Sequence, residues 1–464
     1  MHETHYTCYW DLLARIPSRT DPALSITEES AAFNQKYVTN AQARLLREGR
    51  ILDVSGFDLN TRHNFQMLKL FFRSEESIGA QRIQDWFPDD FFETRFWLLW
   101  TTMFAFQPWS SVVEMRRYFI RFMHLLPGFA RLEGILRTVY NQYDSVVVPL
   151  QTWLQERGVH FEVNTQVVDV DFTFTDDSKT ATALHLLKNE QRRTITLGSG
   201  DSVFITNGSI VEGTDVGSMT SPPVLNDKST SGAWTLWERI ARKHSDFGNP
   251  GVFCNKIDLQ KWESFTVTLR DPTFFQHMEG FTGNVAGTGG LVTMTDSNWL
   301  MSVVLAAQPH FANQPHDVQV FWGYGLFPDR VGNFVDKKMS ECGGQEILTE
   351  LFAHLRISEK MQPTLQSEKA VCLPVTMPFV DSVFMPRVVG DRPHVIPQGA
   401  TNFAFLGQFA EVPHDCVFTV EYSVRSAMMA VYGHFCPDKK VPPVYEGGHD
   451  PMALINAVKA TIKS

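Results

Sequence analysis

Cysteine is scarce in this 464-residue chain and never paired: Cys8, Cys254, Cys342, Cys372, Cys416 and Cys436 lie far apart, with no CxxC. At this length such spacing excludes a disulfide framework and reads as reduced, intracellular thiols. Positive charge is short as well, with 41 basic against 51 acidic residues and a net charge of -10. That balance argues against a nucleic-acid partner, which would need a basic footprint. No basic stretch followed by an apolar one stands at the start, so no secretory signal is expected. The most apolar run, "FFETRFWLLWTTMFAF", is broken by Glu93 and Arg95 and is too short to span a bilayer. These absences together point to a cytoplasmic protein. Internal repeats, a P-loop, an EF-hand and a Ser/His/Asp set are missing too, as is the G-x-G-x-x-G of a dinucleotide-binding turn.

Aromatic residues, in contrast, are abundant. The 36 Phe and 11 Trp exceed what a plain core needs. Crowded as they are in one region, they suit a large apolar cavity, a buried interface or a membrane-facing surface; an aromatic-rich core explains them equally well. A chain this long also exceeds one hydrophobic core, so two or more lobes are expected.

The first 140 or so residues read mostly as helix. Asn60 is placed to cap "TRHNFQMLKLFF", and Pro88-Asp89-Asp90 reads as a helix start before the Phe/Trp-rich run. Ser110-Ser111 precedes "VVEMRRYFIRFMHLL", which has one apolar side and one basic side carrying Arg116, Arg117 and Arg121. Beyond a helix ending at Gly158, "VHFEVNTQVVDVDFTF", "ATALHLL", "RTITL" and "DSVFITNGS" alternate as strands. A mixed region follows, with a helix at "SGAWTLWERIARKH", a Gly-rich link "GNVAGTGG" and strands "LVTMT", "WLMSVVLA" and "VQVFWGYGLF". "NFAFLGQF" reads as an apolar strand ending at Gly407, "FTVEYSVRSAMMAVYGHF" as a helix, and "DPMALINAVKATIKS" as a terminal helix. The fold class is α/β.

Several groups could carry chemistry. His2, Glu3, His5 and Cys8 have metal-ligand chemistry, but the histidines are three apart where H-E-x-x-H needs four, and no metal is expected. Tyr118, Tyr140, Asn141, Gln142, Tyr143 and Asp144 are polar-tipped groups beside the Phe-rich region. A Tyr hydroxyl in a water-excluding pocket can act as a general acid; equally, a buried Tyr commonly just bonds the backbone. On spacing alone, His310 in "QPHF" is a loop histidine, and Gly208 and Gly407 are tight-turn glycines.

Taken together, long strings resemble one family, the flavin-dependent fatty acid hydratases (oleate hydratases, or myosin-cross-reactive antigens). They are "HYTCYWDLLARIPS" at 5–18, "RRYFIRFMH" at 116–124, "RTVYNQYDSVVVPLQTWL" at 137–154 and "VFITNGS" at 203–209. "DSNWLMSVV" at 296–304, "QPHF" at 308–311, "VFWGYGLFPD" at 320–329 and "NFAFLGQFAEVPHDCVFTVEYSVRSAMMAVY" at 402–432 continue them in the family's order. The resemblance implies water addition across the double bond of an unsaturated fatty acid, as in oleate to 10-hydroxystearate, with FAD bound in a non-redox role. It implies Tyr118 as the proton donor to the alkene and Gln142 beside the reacting carbons, with Tyr143, Asn141 and His310 on the substrate. It places Asn207, Gly208, Gly407 and Gln408 on the FAD side. A homodimer and peripheral membrane contact are expected as partners.

The implied fold is an FAD/NAD(P)-binding, Rossmann-like domain, N-terminally incomplete, interleaved with a mixed α+β substrate domain and a helical region. Residues 1–20 would be a remnant of the FAD domain, 21–139 a helical substrate or dimer region, and 140–220 an FAD-domain segment. Residues 221–365 would bind substrate, 366–435 close the FAD domain, and 436–464 form a tail helix. Met1 falls at the last residue of the family motif Arg-Gly-Gly-Arg-Glu-Met, whose Glu orients the attacking water. The expectation is therefore that this Glu and the G-x-G-x-x-G unit lie upstream of Met1, and that Glu3 cannot simply replace the Glu. Val304 and Ala306 stand where some members carry a Thr-x-Asn that meets the carboxylate. Two other readings stay open: a catalytically silent relative that binds lipid, and a flavin oxidoreductase of the same fold.

Overall fold

A computed structural model describes residues 2–357 and 369–462. Its largest element is an eight-stranded mixed sheet. The strands run in the order Arg50–Ile51, Leu45–Arg47, Val292–Met294, Met301–Val304, Gln319–Gly325, Trp262–Leu269, Ala370–Met377 and Asp215–Val216. Trp262–Leu269 is the spine, antiparallel to Gln319–Gly325 on one side and Ala370–Met377 on the other. Its alternate residues Glu263, Phe265, Val267 and Leu269 face inward with the two-residue period of a strand. Leu45–Arg47 joins in parallel to Val292–Met294, so a strand from the helical first third closes the far edge. A separate meander, Thr165–Phe174, Lys179–Lys188 and Gln191–Thr196, forms a three-stranded sheet.

The element nearest to a cofactor fold is a parallel pair. Phe403–Leu406 lies beside Val203–Thr206 in the register Phe403↔Val203 to Leu406↔Thr206. Both strands end at the same level, which sets Asn207 next to Gly407. In open α/β sheets the crevice beyond the carboxyl ends of the strands is where ligands bind.

Local signals set the helices. Asn60 Oδ1 accepts from the His63 N–H at 2.9 Å and caps Thr61–Phe72. Ser111 Oγ accepts from the Glu114 N–H and starts Val112–Arg121. Pro88-Asp89-Asp90, expected to start the Phe/Trp-rich helix, opens only a 3-10 turn over Asp89–Glu93. The helix itself, Arg95–Phe104, is capped by Thr94, whose Oγ1 accepts from the Trp97 N–H at 3.1 Å.

Ala370–Met377, within the expected closing segment 366–435, is a strand of the large sheet. On the basic side of Val112–Arg121, Arg117 and Arg121 are both buried against carboxylates.

The aromatic surplus goes mainly into the core. Phe91, Phe96, Trp97, Trp100, Phe106 and Phe129 interlock in one cluster, with Phe96 stacked on Trp100 at 5.4 Å between centroids. Each such ring buried contributes about 1.5–3 kcal/mol by area alone. Phe274, Phe321, Leu348 and Phe352 fill a second cluster under the large sheet. The rings left over wall a cavity.

Candidate active site

Three parts of the chain surround that cavity, which has a volume of about 240 Å³. Val112–Arg121 supplies Tyr118, Arg95–Phe104 supplies Phe104, and the turn before Val420–Phe435 supplies Phe418. Glu3, Phe122 and Gln142 complete the part that matters here. The Tyr118 ring is packed edge-on against Phe104 and Phe106, each at 5.0 Å. Its hydroxyl donates to the Val417 carbonyl. Burial pushes the phenol well above its ordinary range, with the nearby Cys416 adding to the effect. The group is therefore fully protonated at neutral pH. To deliver that proton it must leave the Val417 carbonyl.

The loop carrying Val417 is held by the same helix that carries Tyr118. Arg117 Nη2 donates to Glu411 Oε1 and to Glu75 Oε2, both at 2.7 Å, and its Nη1 donates to the Val412 carbonyl at 3.2 Å. Arg121 approaches Asp415 at 3.6 Å, and Arg425 Nε donates to the other oxygen of Asp415 at 3.0 Å. The loop needs this support. Phe418 has φ 70°, a left-handed backbone that a bulky residue adopts at a cost of about 1–3 kcal/mol. None of this clamp was foreseen: the sequence reading gave Arg117 and Arg121 a basic helix side but no partners.

Glu3 also reaches the cavity wall, closer to Tyr118 than its position in the sequence suggested. Its carboxylate is engaged on both oxygens. Oε2 accepts from the His5 N–H at 2.9 Å, and Oε1 accepts from Thr4 Oγ1 at 3.1 Å and meets the ring nitrogens of His5 and His124. Burial would raise its pKa, but the hydrogen bonds from His124 and His5 and the Arg121 charge override it and hold it at about 2. The contacts fall mostly on Oε1, and Oε2 accepts only the His5 N–H. The convergence of Glu3, His5 and His124, with ligand atoms within 4.8 Å of one another, replaces the His2, His5 and Cys8 grouping weighed from sequence. His2 instead stacks on Tyr9, and Cys8 is buried on the helix Thr7–Leu13, whose N-terminal N–H groups of Cys8 and Tyr9 donate to Glu421.

A second cavity, of about 150 Å³, shares His2 and Gln142 with the first. His310 and Asn141 line it. His310 is held below the usual histidine range by burial, against the opposing charge of Asp144, and is neutral at pH 7. Asn141 is already committed, because its N–H donates to the His310 carbonyl at 2.8 Å and its amide to Asp144 Oδ2 at 2.8 Å. Tyr143, named with them from sequence, is 63% exposed and lines neither cavity.

Of the residues expected on the FAD side, Asn207 is 1% exposed, and neither its amide oxygen nor its amide nitrogen has a hydrogen-bond partner among the described residues. A buried amide left open on both atoms is costly unless a ligand satisfies it. At the end of a parallel strand pair, it fits the edge of a dinucleotide such as FAD. Gly407 donates its N–H to Ser426 Oγ at 3.0 Å, and Gln408 is half-buried beside it. Gly208 has a more ordinary reason to be glycine. Its φ is +56°, and a Cβ there would stand 2.7 Å from the Trp234 ring.

The site is thus an aromatic-walled, mainly apolar cavity lined by two phenols, Tyr6 and Tyr118, with Glu3 and Gln142 as polar groups on its wall. The MCRA family model matches residues 1–432. An oleate hydratase of Streptococcus pyogenes is 38% identical over 98% of this chain and 78% of its own length. A linoleate hydratase of Lactiplantibacillus plantarum is 33% identical over 98% of this chain and 84% of its own. A solved oxidoreductase from Methanosarcina mazei matches 86% of this chain and 84% of its own length at 10% identity, with a TM-score of 0.39. The chain belongs to the MCRA family.

Proposed function

We propose that this chain is a fatty acid hydratase, a hydro-lyase that adds water across a carbon–carbon double bond of an unsaturated fatty acid of the oleate type. The observation that carries this reading is the Tyr118 hydroxyl on the wall of an apolar cavity, in a chain whose relatives are named oleate and linoleate hydratase. Those names favour hydration over flavin redox chemistry.

The chemistry follows from the groups present. Tyr118 releases its bond to the Val417 carbonyl and gives the proton to one alkene carbon, whose π pair forms the new C–H bond. Positive charge develops on the other carbon, and a water oxygen pair forms the C–O bond there. The proton lost by that water restores the phenol, so the sum is H and OH added with no change of electrons. Gln142, which lines both cavities, is a polar group on the wall shared with Tyr118. The rings of Phe104, Phe122 and Phe418 hold the acyl chain and keep other water out, where a positioned acid works best.

FAD fits the open amide of Asn207, with Gly208, Gly407 and Gln408 alongside; bound there, it would shape and polarise the site without net oxidation or reduction. Purified chain reconstituted with FAD should show flavin absorbance that Asn207→Leu weakens. A lipid surface would be the source of substrate. Leu68 on Thr61–Phe72 and Leu454 and Val458 on Pro451–Ile462 are exposed and line a common apolar groove, and no helix among the described residues is long and apolar enough to cross a membrane. The decisive experiment incubates the FAD-loaded chain with oleate in 18O-labelled water and seeks labelled hydroxystearate by mass spectrometry. Folded, flavin-loaded protein that yields none overturns the reading.

A further inference from the structure

Among the described residues the buried arginines come with carboxylates except Arg44, and the partly buried Arg137 near it has none either. Arg117, Arg387, Arg392 and Arg425 each face a Glu or Asp within 3.0 Å. Arg137 and Arg44 do not. Arg137 Nη1 donates to the Gly287 carbonyl at 2.6 Å and to Thr39 Oγ1 at 3.2 Å, both uncharged acceptors. Arg44 is 1% exposed and donates to the Leu291 and Phe129 carbonyls at 3.0 Å each, while its Nη2 is buried without a partner. The two charges also repel one another, since Arg137 lowers the pKa of Arg44. Burial brings both to about 10, which leaves both cationic at neutral pH.

Two like charges, Arg44 buried and Arg137 partly buried, with no counter-ion among the described residues are a costly arrangement, and an anion relieves it. Arg137 opens onto the 150 Å³ cavity. Val304, Ala306 and Trp322 wall that cavity with apolar groups, and the His310 ring is neutral, so the guanidinium is the cationic group facing the space. A small anionic head attached to an apolar chain matches this lining.

We propose that Arg137, backed by Arg44, receives the carboxylate of the bound fatty acid, whose chain then passes His2 and Gln142 into the Tyr118 cavity. The proposal rests on the hydratase reading for the identity of the chain, but its anion-binding part can be tested without turnover.

The test compares oleic acid with oleyl alcohol, which keeps the chain and the double bond and removes the charge. Binding to the FAD-loaded protein is read by displacement of a fluorescent fatty alcohol, and hydration by mass spectrometry. Wild type should prefer the acid. Arg137→Gln should weaken the acid by about 10- to 100-fold, the worth of a charge-assisted hydrogen bond, and change the alcohol by less than about threefold. KM for the acid should rise with kcat nearly kept. Arg137→Lys should restore part of the acid preference.

Arg137 also ties two loops through Thr39 and Gly287, and a purely structural role would weaken acid and alcohol alike; that result overturns the proposal. Absence of any acid preference in wild type overturns it too, even if Arg137→Gln fails to fold. If wild type binds acid selectively through Arg137 but forms no hydroxy acid, the carboxylate site stands and the hydratase reading falls.

Discussion

Tyr118→Phe separates the two roles that a buried tyrosine can play. The ring would stay where it is, held edge-on by Phe104 and Phe106. Only the hydroxyl is lost, and with it the hydrogen bond to the Val417 carbonyl. An orphaned buried carbonyl costs about 1–3 kcal/mol, part of which is offset because the phenolic oxygen no longer has to be desolvated. In a chain this long a loss of about 1 kcal/mol lowers the melting temperature by no more than about 2–4 °C. If the hydroxyl is the proton source, hydration should fall by about 10²–10⁴-fold in the same variant. The assay is oleate turnover at saturating substrate, alongside a melting curve. Because burial raises the phenol's pKa, the neutral, proton-bearing form persists to higher pH than in water, and ionisation of Tyr118 should not limit the rate between pH 7 and 9. Turnover within about threefold of wild type, with the expected small loss of stability, would mean that Tyr118 only bonds the backbone.

Other perturbations probe the supports of the site. Arg117→Met strips the half-buried Glu75 and Glu411 of their shared partner, leaving Glu411 with Arg387 at 3.2 Å and Glu75 with Arg116 at 4.0 Å, and should cost about 1.5–3 kcal/mol in a denaturant titration. Glu3 has its pKa lowered from 4.5 to about 2, so its contribution is full above pH 4.5 and is lost as pH falls toward 2. It is worth up to about 3 kcal/mol; the stability gap between wild type and Glu3→Gln should shrink on acidification, and a gap independent of pH would refute the assignment. Gly208→Ala forces a Cβ into Trp234 at a left-handed φ and should destabilise by about 2–5 kcal/mol in the same titration.

How far the sequence could be read depended on the range of the interaction involved. Caps and periods are local, so Asn60 before Thr61–Phe72 and the small-residue helix Val420–Phe435 were legible. Strands whose alternation carries polar residues inward were not. Trp262–Leu269 places Glu263 on its buried face, and Ala370–Met377 contains Pro374, so neither offered a clean pattern although both lie inside the large sheet. Leu45–Arg47 pairs with Val292–Met294 across most of the chain, which no local window can see. At the site, Tyr118 and Gln142 came from a resemblance, and the structure sets both on one cavity. Tyr143 came from the same string and faces solvent, since adjacent residues on a helical turn point about 100° apart.

That geometry also explains why one short string, "RRYFIR", serves both the acid and its support. Arg117 and Arg121 are four residues apart and share a helix face, and both reach the loop between Glu411 and Asp415. Tyr118, one step round the helix, meets the same loop farther along, at Val417. Helix and loop are therefore joined at Glu411, Val412, Asp415 and Val417, by ion pairs, a backbone carbonyl and the phenol itself. With Arg117 and Arg121 holding Glu411 and Asp415, the Val417 carbonyl would keep its place if Tyr118 gives up its proton as proposed, and the phenol would have a fixed acceptor to return to. A buried basic stripe costs more than a solvated one. In this chain it supports a loop that holds Phe418 in a strained backbone at the cavity wall.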